Sequence, residues 1–473
     1  MNKFGIYMRV GIVGGGISGL LSALALEKEG YEVVLFEKDK IGGLCRSEKI
    51  DGYQVDIGVH AITMLNNGPL IRLLKKYSNY LPNFRSYGDY YIRLNNGLHK
   101  IPVSLQEWLT TPIVPHKDKI IITTKTIDLM SMGFEKDTSV YCAVKGLGLS
   151  EISLKFFDTI SYFLSGEDMR NTPLWRLFTG AGYIPEDDIL PFIYEDSKIN
   201  PMKSILIKKI NPERVRNILS KGFLKTIKDG SKSYISKFIS GERYSTQGYP
   251  LGGIQSITNC ILNSLKNTRI KYEEVISIEK DEKENSYIIG TNEDSYNVDI
   301  VVFSAPSRIL PDIAKNIDEI KKLENYLKNI KYTTSLTVWF GIDEDKNPLK
   351  YKGSEIWIDP PAWAKCITNY DKSLAPEGKA LIGVSFVNKT EKEAYEAIEK
   401  YLNIDVEKTD FLHVQRAIPE QASCCIGQFF VYPKVSDTFY IVGTDADPRS
   451  MGITRAAYSV DVMLSEILNK KSL

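Results

Sequence analysis

The chain has 473 residues, of which 43% are hydrophobic and 25% charged, values that are ordinary for a globular protein of about two domains. Lys and Arg number 60 against 59 Asp and Glu, so the overall charge gives no reason to expect a nucleic-acid partner. The six cysteines are scattered except for the adjacent pair Cys424 and Cys425, and neighbouring residues rarely suit disulfide geometry, so reduced thiols are expected.

No targeting or membrane-spanning segment is predicted. The chain starts almost directly with an apolar strand and a glycine-rich loop, without the charged stretch, apolar core and cleavage site of a secretory signal. The longest apolar run, residues 11–26, is interrupted by its own glycines and serines, whereas a spanning helix needs ~20 uninterrupted apolar residues. We therefore expect a cytoplasmic protein that does not cross a membrane.

The first chemical signal is a glycine-rich turn between a strand and a helix. Residues 9–13 predict a buried parallel strand, residues 17–29 a helix, and residues 31–36 a second strand that ends at Glu37. This βαβ unit has the order and length of a dinucleotide-binding fingerprint. The predicted fold class is α/β, with a doubly wound, Rossmann-like domain.

The residues of the turn have separate tasks in that fingerprint. Gly14 permits the tight turn, Gly16 lets the backbone approach a pyrophosphate, and Gly19 lets helix and strand pack closely. Ile17 and Ser18 open the helix, whose unpaired N–H groups face the phosphates.

The acid after the second strand marks the ribose end of the predicted site. Glu37 is expected to accept hydrogen bonds from ribose hydroxyls, with Lys38 beside it, and its charge argues against a 2′-phosphate. The alternative is a glycine-rich turn in an ordinary α/β protein. It is disfavoured because strand, helix, second strand and acid all occur in order.

The next segment distinguishes FAD from NAD. After Glu37 the sequence continues with Gly42-Gly43-Leu44-Cys45-Arg46 and then with residues 53–60, YQVDIGVH. Here the chain resembles the superfamily of flavin amine oxidases, protoporphyrinogen oxidases and phytoene desaturases, whose members carry GGxxR soon after the first βαβ unit. The resemblance implies FAD as the cofactor.

The same resemblance assigns roles to this segment. It implies that Gly42 and Gly43 pass close to the cofactor and that Arg46 faces the pyrophosphate or flavin end, where a guanidinium suits phosphate geometry. It also implies that three consecutive residues lie near the isoalloxazine ring: Gly58, Val59 and His60.

Later segments match the superfamily's split FAD domain in order. Residues 249–265 resemble its Pro-x-Gly-Gly segment and helix, while residues 270–278, 286–290 and 298–304 predict strands. By resemblance Val275 would lie against the adenine, although a plain core valine is nearly as good a reading. The expected FAD domain combines residues 1–80, 245–310 and 410–473, and the substrate domain combines residues 81–244 and 311–409.

The closing unit departs from the superfamily pattern. Residues 439–442 predict a strand, followed by Gly443-Thr444-Asp445 and by a final helix that opens at Gly452 and Ile453. The resemblance implies an acid near the ribityl or phosphate part and a helix end against the flavin O2 edge, where N–H groups would stabilise the charge of reduced flavin.

In the superfamily the acid directly follows the glycine, whereas here Thr444 separates Gly443 from Asp445. Asp447 is a second candidate for the acid near the ribityl or phosphate part. No cysteine stands where covalently attached flavins have one, so the FAD is expected to be non-covalent.

Within the superfamily, the middle of the chain resembles protoporphyrinogen oxidases most, in residues 91–121 and again in Ala417-Ile418-Pro419. Residues 201–243 carry eleven basic and three acidic residues with apolar residues at roughly helical spacing. Such a face predicts peripheral contact with an anionic membrane. An ordinary helix with its lysines in water is an open alternative, as is an anionic substrate drawn by the field.

Catalytic residues are the most difficult feature to predict from this sequence, because in flavoenzymes the cofactor carries out the redox chemistry and the protein mainly positions the substrate. His60 is the best candidate for a polar group beside the flavin, with a structural histidine as the alternative. The other histidines show no metal-ligand spacing, so no metal site is predicted. Four aromatic residues in the strand-rich part could line a pocket or fill a core: Trp339, Trp357, Trp363 and Phe386.

The function expected from these features is that of an FAD-dependent oxidoreductase similar to protoporphyrinogen oxidase, acting on a hydrophobic or cyclic organic molecule. Three alternatives are open. One is a desaturase or saturase of isoprenoids or carotenoids. Another is a non-redox flavoenzyme that resembles the sugar-nucleotide mutases, and the last is a non-catalytic FAD-binding scaffold.

Overall fold

The computed structural model describes residues 8–58, 61–94, 97–133, 138–180, 246–426 and 430–468. The predicted flavin contacts Val59 and His60 and the basic stretch 201–243 lie outside these ranges.

The strands are β1 (Arg9–Val13), β2 (Glu32–Phe36), β3 (Ser47–Ile50), β4 (Tyr53–Asp56), β5 (Ile62–Thr63), β6 (Phe84–Ser86), β7 (Asp89–Leu94), β8 (Gly97–Lys100), β9 (Gln247–Pro250), β10 (Arg269–Lys271), β11 (Val275–Asp281), β12 (Ser286–Thr291), β13 (Ser295–Val298), β14 (Ile300–Phe303), β15 (Tyr332–Asp343), β16 (Gly353–Ile358), β17 (Pro361–Cys366), β18 (Lys379–Val387), β19 (Phe411–Ala422) and β20 (Phe439–Ile441). The helices are α1 (Ile17–Lys28), α2 (Pro69–Tyr77), α3 (Leu105–Thr110), α4 (His116–Gly133), α5 (Val140–Val144), α6 (Glu151–Ser165), α7 (Leu174–Gly180), α8 (Gln255–Leu262), α9 (Leu310–Ile313), α10 (Asp318–Lys328), α11 (Glu391–Leu402) and α12 (Gly452–Leu468).

A five-stranded parallel sheet carries the glycine-rich turn. Its order is β10-β2-β1-β14-β20, so it draws strands from the beginning, middle and end of the described chain. Helices α1, α2, α8 and α12 bury their apolar residues on one face. The antiparallel sheet β11-β12-β13 covers the other face. The two sheets pack so closely at Gly11 that a Cβ atom there would come 2.4 Å from Ile289 Cδ1. The α/β, Rossmann-like class predicted from the sequence is confirmed.

One predicted unit is divided differently in the structure. The sequence suggested a single strand over residues 270–278, whereas β10 joins the edge of the parallel sheet beside β2 and β11 starts the antiparallel sheet. The residues between the two strands turn the chain from one layer to the other. A continuous apolar pattern cannot reveal such a change of layer, because β-strands of both sheets share the same period.

A second large sheet is seven-stranded and mixed, with the strand order β19-β15-β18-β17-β16-β7-β8. Helix α11 covers one face, where Trp357 and Phe386 are fully buried, so core packing is the correct reading for these two aromatic residues. Trp339 lies on the opposite face and packs against Tyr53 and Tyr249. That face therefore turns toward the segments predicted to bind the cofactor.

None of the helices in the described parts of the chain combines the length and apolar character that a membrane span requires.

Candidate cofactor-binding site

The glycine-rich turn lies where β1 passes into α1. Gly14 has φ +106°, which favours glycine, and its N–H donates to the Phe36 carbonyl at 2.8 Å. A Cβ on Gly19 would stand 2.0 Å from the Gly14 carbonyl oxygen, so this glycine is required for the close packing of helix on turn. A Cβ on Gly16 would meet no atom within 4 Å, which leaves open space above the turn.

Helix α1 leaves its amino end free for an anion. Its first residues are Ile17 and Ser18, no side chain caps it, and its first turn holds no acidic residue. The N–H groups of the first turn have no partners within the helix, and the helix dipole adds partial positive charge there. The open space at Gly16 and these N–H groups form a cradle of phosphate size.

Glu37 fixes the turn from the end of β2. One carboxylate oxygen accepts the Gly15 N–H at 2.8 Å and the other accepts the Asp39 N–H at 2.9 Å. A carboxylate offers about four lone-pair sites, so acceptor capacity is left for ribose hydroxyls. Lys38 forms an ion pair of 3.1 Å with Glu274, directly before Val275.

Val275 itself begins β11 and pairs with Thr291. It is half-buried and packs at the margin of the core beside the parallel sheet. The ion pair between Lys38 and Glu274 thus brings the predicted ribose and adenine contacts to one region.

The second glycine pair lies directly against the first turn. The Gly42 N–H donates to the Gly15 carbonyl at 2.8 Å, and a Cβ on Gly43 would come 3.2 Å from Gly16 Cα. Arg46 donates from Nη1 to the Gly43 carbonyl at 2.6 Å. Its Nε is buried and has no acceptor among the described residues. A buried donor left without an acceptor costs about 1–3 kcal/mol, which a bound phosphate or flavin oxygen would recover.

A buried carboxylate ties the later Pro-x-Gly-Gly segment to this site. Asp56 is fully buried and accepts hydrogen bonds from the Tyr249 hydroxyl at 2.7 Å, the Ser47 hydroxyl at 2.7 Å and the Ile254 N–H at 3.1 Å. It joins β4 to the start of α8. No motif in the sequence marks Asp56 as a site residue.

The segment predicted to pass the isoalloxazine runs beside the seven-stranded sheet. The Ile57 N–H donates to the Arg46 carbonyl at 3.0 Å, and the Gln415 side-chain amide donates to the Ile57 carbonyl. The Gln415 carbonyl oxygen is buried without a donor among the described residues. Next in the chain, Gly58 is required because a Cβ would stand 2.5 Å from the Leu44 carbonyl oxygen.

The closing unit meets the glycine turn from the other side. Gly443 follows β20 with φ +133°, and a Cβ there would come 3.8 Å from Ser18 Oγ. Ser18 Oγ in turn lies 2.7 Å from the Ser304 hydroxyl, just after β14. The carboxyl ends of β1, β14 and β20 thus converge on one point of the sheet edge.

The two competing acids of this unit have different partners. Asp445 accepts hydrogen bonds from the Ser307 N–H at 2.7 Å and the Tyr332 hydroxyl at 2.5 Å. Burial, reinforced by Asp445, raises the pKa of Tyr332 well above its usual range, so its hydroxyl stays a donor. Both oxygens of Asp447 bind the Arg449 guanidinium, at 3.0 and 2.7 Å.

Helix α12 starts at Gly452, which has φ +48°, and the Ile453 side chain is buried in the core, so only the Ile453 backbone can face a ligand. The helix runs beside α1 in the same direction. Ser459 accepts the Gly443 N–H at 2.9 Å, next to Ser18, and one turn later Ser22 Oγ lies 4.0 Å from Met463 Sδ. At 1.5 Å per residue, the start of α12 reaches about 10 Å past Ser459.

This offset gives the site a long axis. The predicted phosphate contacts lie at α1, the predicted ribose and adenine contacts lie at β2 and β11, and α12 begins about 10 Å before Ser459 along its own axis. Thr63, which closely follows residues 58–60, reaches this end and contacts Thr454 Oγ1 at 2.9 Å. The elongated arrangement fits a dinucleotide with a large head group at the α12 end.

Comparisons with known proteins agree with this geometry. A family model described as an NAD(P)-binding Rossmann-like domain matches residues 12–77. An oxidoreductase from Methanosarcina mazei has a similar fold, with a TM-score of 0.70 at 16% identity, over 97% of this chain and 100% of that one. A candidate protoporphyrinogen oxidase from Exiguobacterium sp. 255-15 has a TM-score of 0.67 at 13% identity, over 98% and 99%.

Fold and site together define the class of protein: the chain belongs to the FAD-dependent oxidoreductase superfamily of flavin amine oxidases, protoporphyrinogen oxidases and phytoene desaturases. Within this superfamily, the chain belongs to the same family as an uncharacterised protein in the nifH2 3′ region of Methanothermococcus thermolithotrophicus. The two are 71% identical over 103 residues, which are 22% of this chain and all of the relative.

Two relatives match along most of their length. An uncharacterised protein of Methanocaldococcus jannaschii is 26% identical over 93% of this chain and 94% of its own. A 1-hydroxycarotenoid 3,4-desaturase of Flavobacterium sp. (strain P99-3) is 21% identical over 84% of this chain and 82% of its own. The predictions of the superfamily, of an FAD-dependent oxidoreductase and of FAD as cofactor are confirmed.

Proposed function

We propose that the protein is a protoporphyrinogen oxidase-like enzyme that exchanges hydride between a C–H bond of an organic substrate and non-covalently bound FAD. The observation that carries the proposal is the convergence of the glycine turn, the Arg46 segment and the start of α12 along one elongated site. Bound FAD supplies the hydride chemistry at N5, and the protein binds, orients and shields the reactants.

The proposed cofactor contacts follow the long axis of the site. Gly14, Gly16, Ile17, Ser18 and Gly19 hold the pyrophosphate together with Gly42, Gly43 and Arg46. Glu37, Lys38 and Val275 serve the ribose and adenine end. Gly58, Gly443, Asp445, Gly452 and Ile453 serve the flavin end, as do Val59 and His60, which lie outside the described residues.

Non-covalent attachment is supported by the positions of the cysteines. The closing segment contains none, and Cys424 and Cys425 are both buried. The Cys424 N–H donates to the Ser165 carbonyl of α6 at 3.0 Å, which holds this cysteine in the core.

The face of the seven-stranded sheet beside residues 57 and 58 supports a substrate with polar groups. Thr337 and Ser385 are buried there with their hydroxyls 3.0 Å apart, and Gln415 pairs with Thr337 on the next strand. Because these two hydroxyls bond each other, the group that lacks a partner among the described residues is the Gln415 carbonyl oxygen, and a substrate with its own donor can match it better than a pure hydrocarbon can. A cyclic substrate with polar substituents is therefore preferred.

The desaturase or saturase of an isoprenoid or carotenoid is the second candidate. Its support is the carotenoid desaturase relative, which matches over 84% of this chain. Peripheral contact of residues 201–243 with an anionic membrane would suit either substrate class, because both are poorly soluble in water.

The deciding experiment is purification followed by anaerobic reduction. We expect yellow protein that releases FAD on denaturation, and bleaching by a porphyrinogen but not by polyprenyl compounds, carotenoid precursors or amines. Bleaching by a carotenoid precursor alone would favour the second candidate. Protein that binds FAD but is bleached by none of these compounds would favour a mutase-like enzyme or a scaffold, and colourless protein unable to take up FAD would refute the proposal.

A further inference from the structure

Gln415 lies on β19, on the face of the seven-stranded sheet beside residues 57 and 58, and is 8% exposed. Its side-chain Nε2 donates to the Ile57 carbonyl, which fixes the end of the amide that faces this segment. The carbonyl oxygen Oε1 therefore points away from the Ile57 carbonyl. This oxygen is buried and has no donor among the described residues.

The strand pairing is irregular directly after Gln415. Thr337 of β15 pairs with Gln415, whereas Ser335, two positions earlier, pairs with Ile418, so β19 has three positions where β15 has two. An extra residue of this kind bends the strand and re-aims side chains, and such bulges are frequent next to active sites. Gln415 therefore lies at a break in the regular ladder, where its side chain can be directed toward a ligand.

The neighbouring polar side chains do not supply the missing donor. Thr337 pairs with Gln415 on one side and with Ser385 on the other, so the three residues form a row across the sheet. The Thr337 and Ser385 hydroxyls are buried and lie 3.0 Å apart, which occupies them with each other. The acceptor at Gln415 thus ends a buried polar row without a partner from this part of the chain.

A purely structural role accounts for only one end of the amide. Holding the Ile57 carbonyl requires a donor, and Nε2 provides it. Oε1 adds nothing to that contact, and an acceptor left unpaired in the interior destabilises the fold. A ligand that donates to Oε1 explains why an amide, with both a donor and an acceptor, is placed here.

The chemistry of Oε1 selects the kind of donor. This oxygen is polar but uncharged, so it cannot compensate a buried ammonium group, whereas the N–H or O–H of a neutral molecule needs only an acceptor. The ring N–H groups of a porphyrinogen are donors of this kind. A substrate that is a pure hydrocarbon has none.

We propose that Gln415 is a specificity-determining residue: its carbonyl oxygen accepts a hydrogen bond from a ring N–H of the substrate, while its amide N–H holds the Ile57 segment. The inference rests on the proposed function, because it requires a cyclic substrate seated between this sheet face and FAD. It extends that function by assigning the atom that distinguishes a substrate with a ring donor from one without.

The test compares two ligands that differ at a ring nitrogen. Protoporphyrin and N-methylprotoporphyrin are titrated into the FAD-loaded protein, and their dissociation constants are measured by fluorescence without turnover. Gln415→Met removes both the acceptor and the donor at similar side-chain length. Gln106→Met is the matched control, because Gln106 is exposed on α3.

We expect the wild-type and Gln106→Met proteins to bind protoporphyrin more tightly than the N-methyl compound. In the Gln415→Met protein the ratio of the two dissociation constants should fall at least about tenfold, because the acceptor that reads the N–H is gone. A role confined to holding Ile57 would weaken both ligands equally and leave the ratio unchanged. The ratio therefore separates specificity from structure.

An unchanged ratio in the Gln415→Met protein would overturn the inference. If that protein does not fold, Gln415→Leu takes its place, and a wild type that binds the two ligands equally, or neither of them, contradicts the inference whatever the variants do. Failure of the proposed function has a different signature: protein that shows the expected ratio but whose bound flavin is not bleached by a porphyrinogen.

Discussion

The hydroxyl oxygens of Ser18 and Ser304 lie 2.7 Å apart, although 286 positions separate the residues in the chain. Ser18 stands in the first turn of α1 and Ser304 directly after β14, so this contact joins the opening glycine turn to a strand from the middle of the sequence. The proposed cofactor site at this point is therefore built from segments that are distant in sequence.

Gly16 is expected to matter for the ligand and not for the fold. Its φ is −69°, which any residue adopts, and a Cβ there meets no protein atom, so Gly16→Ala should fold with an unchanged melting temperature in the FAD-free form. Because the new methyl enters the phosphate cradle, FAD affinity should fall at least about tenfold, or about 1.4 kcal/mol, in equilibrium dialysis. Gly146→Ala, likewise without a predicted clash, should keep full affinity.

Gly19, three residues further on, should behave in the opposite way. A Cβ would stand 2.0 Å from a backbone oxygen that cannot move aside, so Gly19→Ala should destabilise the FAD-free protein by about 3 kcal/mol in urea unfolding. Equal stability of the Gly19→Ala and Gly16→Ala proteins would mean that helix and turn pack less closely than described.

Arg46 should contribute binding energy through its charge and its shape. Arg46→Met removes a charge-assisted hydrogen bond, worth about 1.5–3 kcal/mol, and should weaken FAD binding by roughly 10- to 100-fold. Arg46→Lys should recover only part of the loss, because an ammonium group cannot reproduce the planar fork. Full flavin content in Arg46→Met after dialysis would count against the pyrophosphate placement.

Glu27 should make stability depend on pH in the acid range. Burial raises the pKa of Glu27, but hydrogen bonds from Thr268, Lys266 and Asn267 outweigh it, so the net pKa lies below its ordinary value. The resulting stabilisation is present above the unfolded pKa of about 4.3 and is lost as pH falls through the lower, folded value.

Glu27→Gln should accordingly cost about 1–2 kcal/mol near pH 7, and the cost should shrink steadily as the pH falls below about 4.3, measured by urea unfolding at each pH. Glu282→Gln serves as the control, because the Glu282 side chain is 78% exposed and should give no pH-dependent difference. A constant difference between Glu27→Gln and wild type across this range would contradict the assignment.

Thiol reactivity should follow burial. Cys142 is exposed, whereas burial raises the pKa of Cys45 to about 12 and that of Cys425 to about 12. Iodoacetamide at pH 8 should therefore modify Cys142 rapidly and leave Cys45 and Cys425 unmodified until denaturant is added, as read by peptide mass spectrometry. Rapid modification of Cys45 in the native protein would indicate that the Gly42–Arg46 segment opens.

Local patterns in the sequence predict the first βαβ unit and the glycine pair well. The turn, α1 and β2 lie within a few residues of their predicted bounds, because each glycine there answers a local steric need. The closing strand and α12 are also found where the sequence indicates them.

The polar contacts that complete the site could not be predicted in the same way. Asp56 and Gln415 each bond to partners more than a hundred positions away, and neither periodicity nor turn chemistry encodes such pairs. Asp56 stands within YQVDIGVH, but its partners Tyr249 and Ile254 become visible only in three dimensions.

The parallel sheet takes β1 from the start of the described chain and β20 from near its end, with the flanking helix α12 later still. During synthesis the opening half of the nucleotide site leaves the ribosome long before its closing half. The nascent chain must therefore wait with an incomplete sheet edge, and flavin loading becomes a late event that depends on whatever protects that edge in the meantime.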